Sequence, residues 1–310
     1  MKMGEERGAD LSSCITVLIP VKDEEAGLRY VLGRLRELGV SDIIVIDGHS
    51  KDGSVKVAKE YGAAVYEQPG DGKADAVYYG LRFVKKPYVV VIDGDGTYDP
   101  YYIPKLLEEA IRGDFDEVLG ARREGRENIP FINRIGNRIL TSVFNMLFGT
   151  RLTDVLTGLY LIRSDVAKML VKSTEGFSIE VDIASQVASV GRIGEVPVRY
   201  GRRISGEPKL KWWHGLGIGV DMVKLMIKFN PVLLVALLVA LLIVPGAALT
   251  AYVAYQLLAY HIKHFIWGII AFQLDTSGLI GILIALLALM AKRTEYRIIR
   301  YMSRRERLCE

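Results

Sequence analysis

The sequence predicts an α/β domain built on a doubly wound, mostly parallel sheet, followed by an apolar segment long enough to cross a membrane. Over the first two hundred residues, short β-branched runs alternate with amphipathic stretches. Polar residues directly follow the first, second and fourth of these runs. Residues 230–291 then hold only two formally charged side chains, Lys263 and Asp275.

Each predicted strand is a short apolar run, and most are followed by residues with helical periodicity. The predicted strands are 15–20, 42–47, 63–66, 88–93, 117–121, 159–163 and 195–200. The predicted helices are 26–38, 53–61, 74–84, a segment after Pro100 that ends near 112, and 132–148. In such a fold, ligands bind beyond the carboxyl ends of the strands.

The formal net charge of +4 is unevenly distributed. Residues 292–310 contain seven Lys/Arg and three Glu, whereas residues 1–229 contain 32 of each sign. A neutral first domain argues against disorder and against a basic nucleic-acid-binding face. No nucleic-acid partner is therefore predicted.

The apolar segment divides into 231–260 and about 265–291, which predicts two transmembrane helices. A third span would bury His261, Lys263 and His264 in the bilayer, at high cost. Pro245 is expected to kink the first helix. Three interpretations of Asp275 stay open: it lies near a helix end, it contacts the other helix, or it marks a functional site.

Residues 209–229 mix Trp, Lys and aliphatic residues, which favours a juxtamembrane amphipathic helix at the lipid headgroups, with a core-packing helix as the alternative. Six Lys/Arg lie in 202–228, one in the loop between the spans and seven in the tail. The bias of positive charge predicts that both flanks are cytoplasmic. We therefore expect a cytoplasmic catalytic domain over 10–208, two cell-membrane spans within 230–291 and a cytoplasmic tail over 292–310.

The strongest chemical motif is Asp93-Gly94-Asp95, at the end of the fourth predicted strand. Two carboxylates at a strand end can converge on one hard cation, and Mg²⁺ or Mn²⁺ commonly links protein carboxylates to phosphate oxygens. Asp and Gly also simply make turns, so the position in the fold carries the argument.

Two upstream loops add carboxylates at the same predicted sheet edge. Asp23 and Glu24 follow the first strand, and Asp47 and Asp52 follow the second. These side chains could bind a nucleobase or ribose, or could cap the next helix. Lys73, which opens the third helix, could meet a diphosphate.

Taken in order, these motifs resemble the inverting family-2 glycosyltransferases, and among them the polyprenyl-phosphate hexose synthases. The resemblance covers about 14–210 and includes Pro20 with Glu24, Gly72-Lys73-Ala74 and Asp154-Val-Leu-Thr-Gly158. It implies a GT-A-type fold. It also implies hexose transfer from a UDP- or GDP-linked sugar to a polyprenyl phosphate such as dolichyl phosphate, at a lipid bilayer.

The resemblance also implies roles for individual residues. The nucleotide-sugar set is Pro20, Asp23, Glu24, Asp47, Asp52, Lys73 and Asp93, and the metal ligands are Asp93 and Asp95, with Mg²⁺ or Mn²⁺ as cofactor. The acceptor-phosphate set is Arg134, Thr157, Arg202, Arg203 and Lys209, and the catalytic set is Asp95, Arg134, Asp154 and Glu180. Gly48 stands where a second Asp is usual, and Pro208 replaces the usual Ser before Lys209.

The residues are consistent with this transfer reaction even without the resemblance to the family. A phosphate monoester is largely a dianion at pH 7, because its second pKa is about 6, so it needs cations rather than a strong base. Asp154 is therefore expected to orient an arginine. The alternatives are transfer to another membrane lipid or a polysaccharide, and a non-catalytic nucleotide-sugar-binding adaptor. The subunit number stays open, with a homo-oligomer among the possibilities.

Overall fold

The computed structural model describes residues 11–172, 179–204 and 231–303. The predicted juxtamembrane segment 209–229, Lys209 and the last seven residues of the chain lie outside these ranges. The chain divides into two compact units, one holding the sheet with its helices and the other holding the two apolar helices.

The described part of the first unit contains a seven-stranded sheet in the order β3-β2-β1-β4-β6-β5-β7. The strands are β1 (Ile15–Val21), β2 (Ile43–Asp47), β3 (Ala64–Glu67), β4 (Tyr88–Ile92), β5 (Glu117–Glu124), β6 (Leu159–Arg163) and β7 (Ile193–Arg199). Only β6 among them runs antiparallel to its neighbours β4 and β5. The predicted mostly parallel α/β fold is confirmed.

Helices connect most of these strands. They are α1 (Leu11–Cys14), α2 (Glu25–Glu37), α3 (Ser54–Glu60), α4 (Gly72–Leu81), α5 (Ile103–Gly113), α6 (Phe131–Phe148), α7 (Ser164–Ala167) and α8 (Ile179–Val190), with short 3-10 turns at Pro100–Tyr102 and Arg126–Asn128. The sequence analysis did not predict α8, whose residues are buried along almost its whole length.

The core explains why the strands are continuous apolar runs. Every residue of β1 is buried. On one side of the sheet, Leu28, Leu32 and Leu35 of α2 are fully buried against it. A parallel sheet covered by helices on both faces has no solvated side, so its strands do not alternate in polarity. Polar groups are therefore found at the strand ends.

The second unit consists of two helices, Pro231–Tyr260 and Phe265–Ser303. Leu237–Tyr260 and Phe265–Ala288 are each long and apolar enough to cross a membrane, which indicates membrane association. The first helix continues through Pro245. Thr250 Oγ1 donates to Asp275 Oδ2 across the pair at 2.7 Å, so Asp275 contacts the other helix.

Candidate active site

Asp93 and Asp95 lie directly after β4, at the carboxyl edge of the sheet. Helix α2 packs closely on this loop, because a Cβ at Gly27 would lie 2.6 Å from the Gly94 carbonyl oxygen. The Asp95 side chain is buried, and its Oδ1 accepts hydrogen bonds from Thr97 N (2.9 Å) and Thr97 Oγ1 (2.6 Å). One carboxylate oxygen of Asp95 is thus held within its own turn, and the other contacts Arg203.

Lys73, at the start of α4, bridges two carboxylates. Its Nζ lies 2.5 Å from Asp93 Oδ1 and 2.5 Å from Glu180 Oε1, although these residues are distant in sequence. Lys73 and Asp93 remain partly exposed, at 34% and 26% of their side chains. The structure therefore brings together a predicted nucleotide residue, a predicted metal ligand and a predicted catalytic residue.

Two effects shift the pKa values of Asp93 and Lys73: burial of the side chains, and the attraction between the Lys73 ammonium and the neighbouring carboxylates. Burial raises the pKa of Asp93 to about 6, against the opposing effect of the Lys73 ammonium. Burial lowers the pKa of Lys73, but the negative charges of Asp93 and Glu180 outweigh it and hold that pKa well above its ordinary value. Lys73 is thus a permanent cation beside these carboxylates.

Arg203 lies in the segment after β7 and contacts carboxylates at the carboxyl edge of the sheet. Its Nη2 lies 2.7 Å from Asp95 Oδ2, and its Nη1 donates to Glu24 Oε1 at 3.3 Å. Backbone hydrogen bonds from Gly201 N to Thr97 O and from Ile204 N to Asp95 O hold the segment in place. Arg202 is exposed, so Arg203 is the arginine that reaches the carboxylates.

Asp154 orients an arginine that the sequence analysis missed. Arg122, at the end of β5, donates from Nε to Asp154 Oδ2 (2.6 Å) and from Nη2 to Asp154 Oδ1 (2.8 Å). Both side chains are buried. Because the predicted strand ended at 121, Arg122 was not considered as part of the buried sheet. Its only signal in the sequence was an arginine directly after an apolar strand.

Thr157 is fully buried, and its hydroxyl donates to the Gly120 carbonyl oxygen at 2.5 Å. The adjacent Gly158 donates its backbone N–H to Tyr98 OH at 2.8 Å. A Cβ at Gly158 would lie 2.0 Å from Asp93 Oδ2, so only glycine fits this close approach. The Asp154–Gly158 segment therefore forms the wall behind Asp93, with the Thr157 hydroxyl used to hold that wall.

Arg134 has no described contact with this cluster. It is exposed in the first turn of α6, with its guanidinium 5.4 Å from the centre of the Phe131 ring. Its predicted roles in catalysis and acceptor binding stay predictions. The arginine paired with Asp154 is Arg122, and the arginine paired with Asp95 is Arg203.

The loops after β1 and β2 are bound to each other by their polar side chains. Asp23, at φ +52°, accepts from Lys51 N at 2.6 Å, and Asp47 accepts from Ser50 N at 3.1 Å. Asp52 accepts from the backbone N–H of Glu25 and of Ser54, the first residues of α2 and α3. Asp52 therefore accepts hydrogen bonds from backbone N–H groups at the N-termini of two helices, which agrees with the capping role considered for it.

Those hydrogen bonds also set the charge of Asp52. Burial would raise its pKa, but hydrogen bonds from Ser54 and from the Glu25 backbone outweigh that effect and leave the pKa below its ordinary value.

Pro20, in β1, pairs in register with Ile46 of β2. His49 contacts Glu67 Oε1 (2.9 Å) and the Gly70 carbonyl oxygen (3.3 Å), which connects this edge to the loop after β3.

The donor set fits a divalent cation. Among the residues with described positions, no group of three His, Cys, Asp or Glu suited to a metal is found. Mg²⁺ and similar ions, however, are commonly held by one or two carboxylates, with substrate phosphates and water completing the shell. Asp93 and Asp95 supply two hard oxygen donors, and Lys73 and Arg203 now occupy the positions beside them.

Comparisons with known proteins agree with this geometry. The family model for glycosyl transferase family 2 matches residues 16–174. Glycosyltransferase AglJ of Haloferax volcanii is 32% identical over 198 residues, which are 62% of this chain and 64% of that protein, just under two thirds of its length. The dolichyl-phosphate hexose transferase of the same organism is 31% identical over 219 residues, covering 69% of this chain and 94% of that protein.

Among solved structures, glucosyl-3-phosphoglycerate synthase from Mycobacterium tuberculosis shares the fold. The crystal structure with Mn²⁺, UDP-glucose and phosphoglyceric acid superposes with a TM-score of 0.57 at 21% identity, covering 69% of this chain and 79% of that one. The resemblance is one of architecture.

Proposed function

The chain belongs to glycosyltransferase family 2, and on that premise we propose that it transfers a hexose from a nucleoside-diphosphate sugar to a membrane polyprenyl phosphate, with inversion. The observation that carries the proposal is the convergence of Asp93, Asp95, Lys73 and Arg203 at the carboxyl edge of the sheet. The two carboxylates could bind a metal ion on the donor diphosphate, and the two cationic side chains could bind phosphate groups of the donor and the acceptor. The similarity to the dolichyl-phosphate hexose transferase of Haloferax volcanii supports this choice of acceptor.

The donor half is assigned to the edge formed by β1, β2 and β4. Asp47 and Glu24 are buried carboxylates at this edge, and the hydrogen-bonded loops fix their positions. Carboxylates there can accept hydrogen bonds from a base or ribose, as they do in other open α/β sheets. We propose that Pro20, Asp23, Asp47 and Asp52 shape this nucleotide site, with UDP or GDP as the nucleotide.

The diphosphate is assigned to Asp93, Asp95 and Lys73. A bound Mg²⁺ or Mn²⁺ would offset the charge that develops on the departing nucleoside diphosphate. Lys73 contributes a fixed positive charge at the same place, and its contact with Glu180 holds it there. Glu180 is mostly buried and thus keeps the ammonium oriented toward the strand end.

We propose that the acceptor phosphate binds next to the Arg203 guanidinium. A phosphate dianion is already nucleophilic, so the protein needs to hold it in line with the sugar rather than take a proton from it. Guanidinium groups bind phosphate in a bidentate geometry. Asp154 holds Arg122 by two hydrogen bonds, which is a positioning role rather than that of a general base. Arg134, Thr157 and Lys209 stay proposed acceptor residues, and of the two adjacent arginines we propose Arg203 rather than the exposed Arg202.

The deciding experiment is a donor panel of radiolabelled UDP- and GDP-hexoses with a short polyprenyl phosphate, with and without Mn²⁺ or Mg²⁺. We expect metal-dependent formation of a polyprenyl-phosphate hexose by the wild-type chain and its loss in Asp95→Asn. Glu108→Gln, an exposed carboxylate of α5, is the matched control. Nucleotide binding without release under every donor would support a binding adaptor instead. Transfer only to another lipid or a polysaccharide would overturn the acceptor assignment.

We further propose that the first unit and the C-terminal tail face the cytoplasm. The Lys/Arg flanking the two apolar helices support this orientation. Protease treatment of sealed inside-out vesicles should cleave the catalytic domain, and treatment of right-side-out vesicles should leave it intact. The reverse pattern would contradict the orientation.

A further inference from the structure

Gln273 is an exposed amide deep within the second apolar helix. It lies in Phe265–Ala288, which is long and apolar enough to cross a membrane. At 1.5 Å per residue, Gln273 is about 12 Å inside a segment about 36 Å long. Within the described part of the chain, its side chain makes one hydrogen bond, from Nε2 to Ser277 Oγ at 3.5 Å. This distance is at the long limit for a hydrogen bond, so the amide keeps a donor and an acceptor for another partner.

The first apolar helix covers the opposite side of the second. Asp275 accepts the hydrogen bond from Thr250 of the first helix, and a Cβ at Gly278 would overlap Ile243 of that helix. At about 100° per residue, Gln273 is about 160° around the second helix from Asp275 and about 140° from Gly278. Gln273 therefore lies on a face that the first helix leaves uncovered.

The rest of this face is largely apolar. Ile266, Ile269 and Ile280 fall within about 40° of Gln273, and they are exposed over 75%, 70% and 59% of their surface. Lipid chains solvate isoleucine as well as another protein does, but they cannot form hydrogen bonds with an amide. An unsatisfied polar group in hydrocarbon is costly. The amide is thus the group on this face that favours a protein partner over lipid.

A second copy of the chain fits this requirement. A carboxamide carries both donors and an acceptor, so two of them can exchange a pair of hydrogen bonds. Copies inserted in the same orientation can be related by a two-fold axis along the membrane normal, which places Gln273 of both copies at the same depth. Ser277, one turn away, is small and allows the two helices to approach closely.

We propose that Gln273 binds Gln273 of a second copy, in a two-fold interface between the second apolar helices of two chains. The interface comprises Ile266, Ile269, Gln273, Ser277 and Ile280. The proposal depends on both apolar helices crossing the bilayer, and it does not depend on the proposed function.

Subunit counting by single-molecule photobleaching tests the proposal, with the full chain in phosphatidylcholine bilayers at several protein-to-lipid ratios. Gln273→Leu removes the amide, and Gln273→Asn keeps a shorter one. Gln273→Met, a second apolar replacement, keeps the test valid if Gln273→Leu fails to fold. The matched control is Gln256→Leu. Gln256 lies about 6 Å from the end of the first apolar helix, where water is close, and its Nε2 donates to Tyr252 OH at 3.4 Å.

We expect wild-type dimers that dissociate on dilution with lipid. The dissociation constant should be about 3- to 30-fold higher in Gln273→Leu and Gln273→Met, the range that interhelical hydrogen bonds in membranes give. Gln273→Asn and Gln256→Leu should stay close to wild type. A wild-type chain that is monomeric at every density, or an unchanged dissociation constant in both apolar variants, would overturn the proposal. Equal weakening in Gln256→Leu or in Gln273→Asn would also overturn it, because the Gln273 amide would then not be what joins the copies.

Discussion

The guanidinium of Arg203 lies 2.7 Å from carboxylate oxygen Oδ2 of Asp95, a proposed metal ligand. The cation and the carboxylate neutralise each other across the loops that follow β7 and β4. Proposed binding of a divalent ion at Asp95 would compete with this ion pair and would release the guanidinium toward an incoming phosphate. The ion pair thus directly connects a proposed residue of the acceptor site with a proposed ligand of the donor metal.

The first prediction follows from that contact. Arg203→Ala is expected to lower kcat/KM for the polyprenyl phosphate by about 10- to 100-fold, since a hydrogen bond to a charged group contributes about 1.5–3 kcal/mol. Arg202→Ala, at the exposed neighbouring position, should change it by less than about twofold. Steady-state kinetics with varied acceptor would measure both. Equal losses in the two variants would contradict the assignment of Arg203.

The second prediction concerns the buried pair of Asp154 and Arg122. Asp154→Asn leaves an arginine without its counter-charge, so we expect a loss of about 3–5 kcal/mol in the free energy of unfolding and weaker acceptor binding. Replacing both, as Arg122→Met with Asp154→Leu, should recover much of the stability but not the activity. Denaturant unfolding and activity at several pH values would test this. Activity of Asp154→Asn restored at high pH would instead indicate a general base.

The third prediction uses the close approach of Gly158 to Asp93. Gly158→Ala places a methyl group where the Asp93 carboxylate lies, so that carboxylate has to move. We expect a loss of donor binding, measured by titration with Mn²⁺ and a nucleoside-diphosphate sugar. Gly136→Ala is the control, because a Cβ there meets nothing within 4 Å. In α6 it should increase stability by about 0.5–1 kcal/mol. Unchanged donor binding in Gly158→Ala would contradict the geometry.

The fourth prediction concerns Glu117, whose side chain is buried in β5. Neither of its carboxylate oxygens has a hydrogen-bond partner in the described structure, and burial raises its pKa well above the ordinary value of 4.5. A raised pKa means that the folded state binds a proton more tightly than the unfolded state does. The contribution to stability is then full below pH 4.5 and is lost as the pH rises toward the pKa of the folded state.

Glu117→Gln should therefore increase the free energy of unfolding at pH 7 by roughly 1–3 kcal/mol, because the neutral amide removes the cost of protonating the carboxyl on folding, which is about 1.4 kcal/mol per unit of pKa shift. The difference from wild type should shrink as the pH falls toward 4.5. Urea unfolding of the detergent-solubilised chain at several pH values would show it. A difference that is constant across the pH range would mean that Glu117 does not titrate with folding.

Much of the fold followed from patterns that are local in the chain. Apolar runs such as Ile15–Val21, separated by helical periodicity, can only bury their residues in a sheet covered by helices. The position of Asp93-Gly94-Asp95 at a strand end followed from the same reasoning, and so did the two apolar helices. The sequence by itself determined the α/β class and the family, and it predicted the carboxyl edge as the candidate site.

Only the tertiary structure decided which charges meet. Lys73 and Glu180 are more than a hundred residues apart, as are Arg203 and Asp95, and no local pattern relates them. Arg122 was missed because a buried arginine and an exposed one look alike until the Asp154 loop is placed against the strand. Hydrophobic periodicity shows that a helix has an apolar face, but burial depends on contacts that form when distant segments pack.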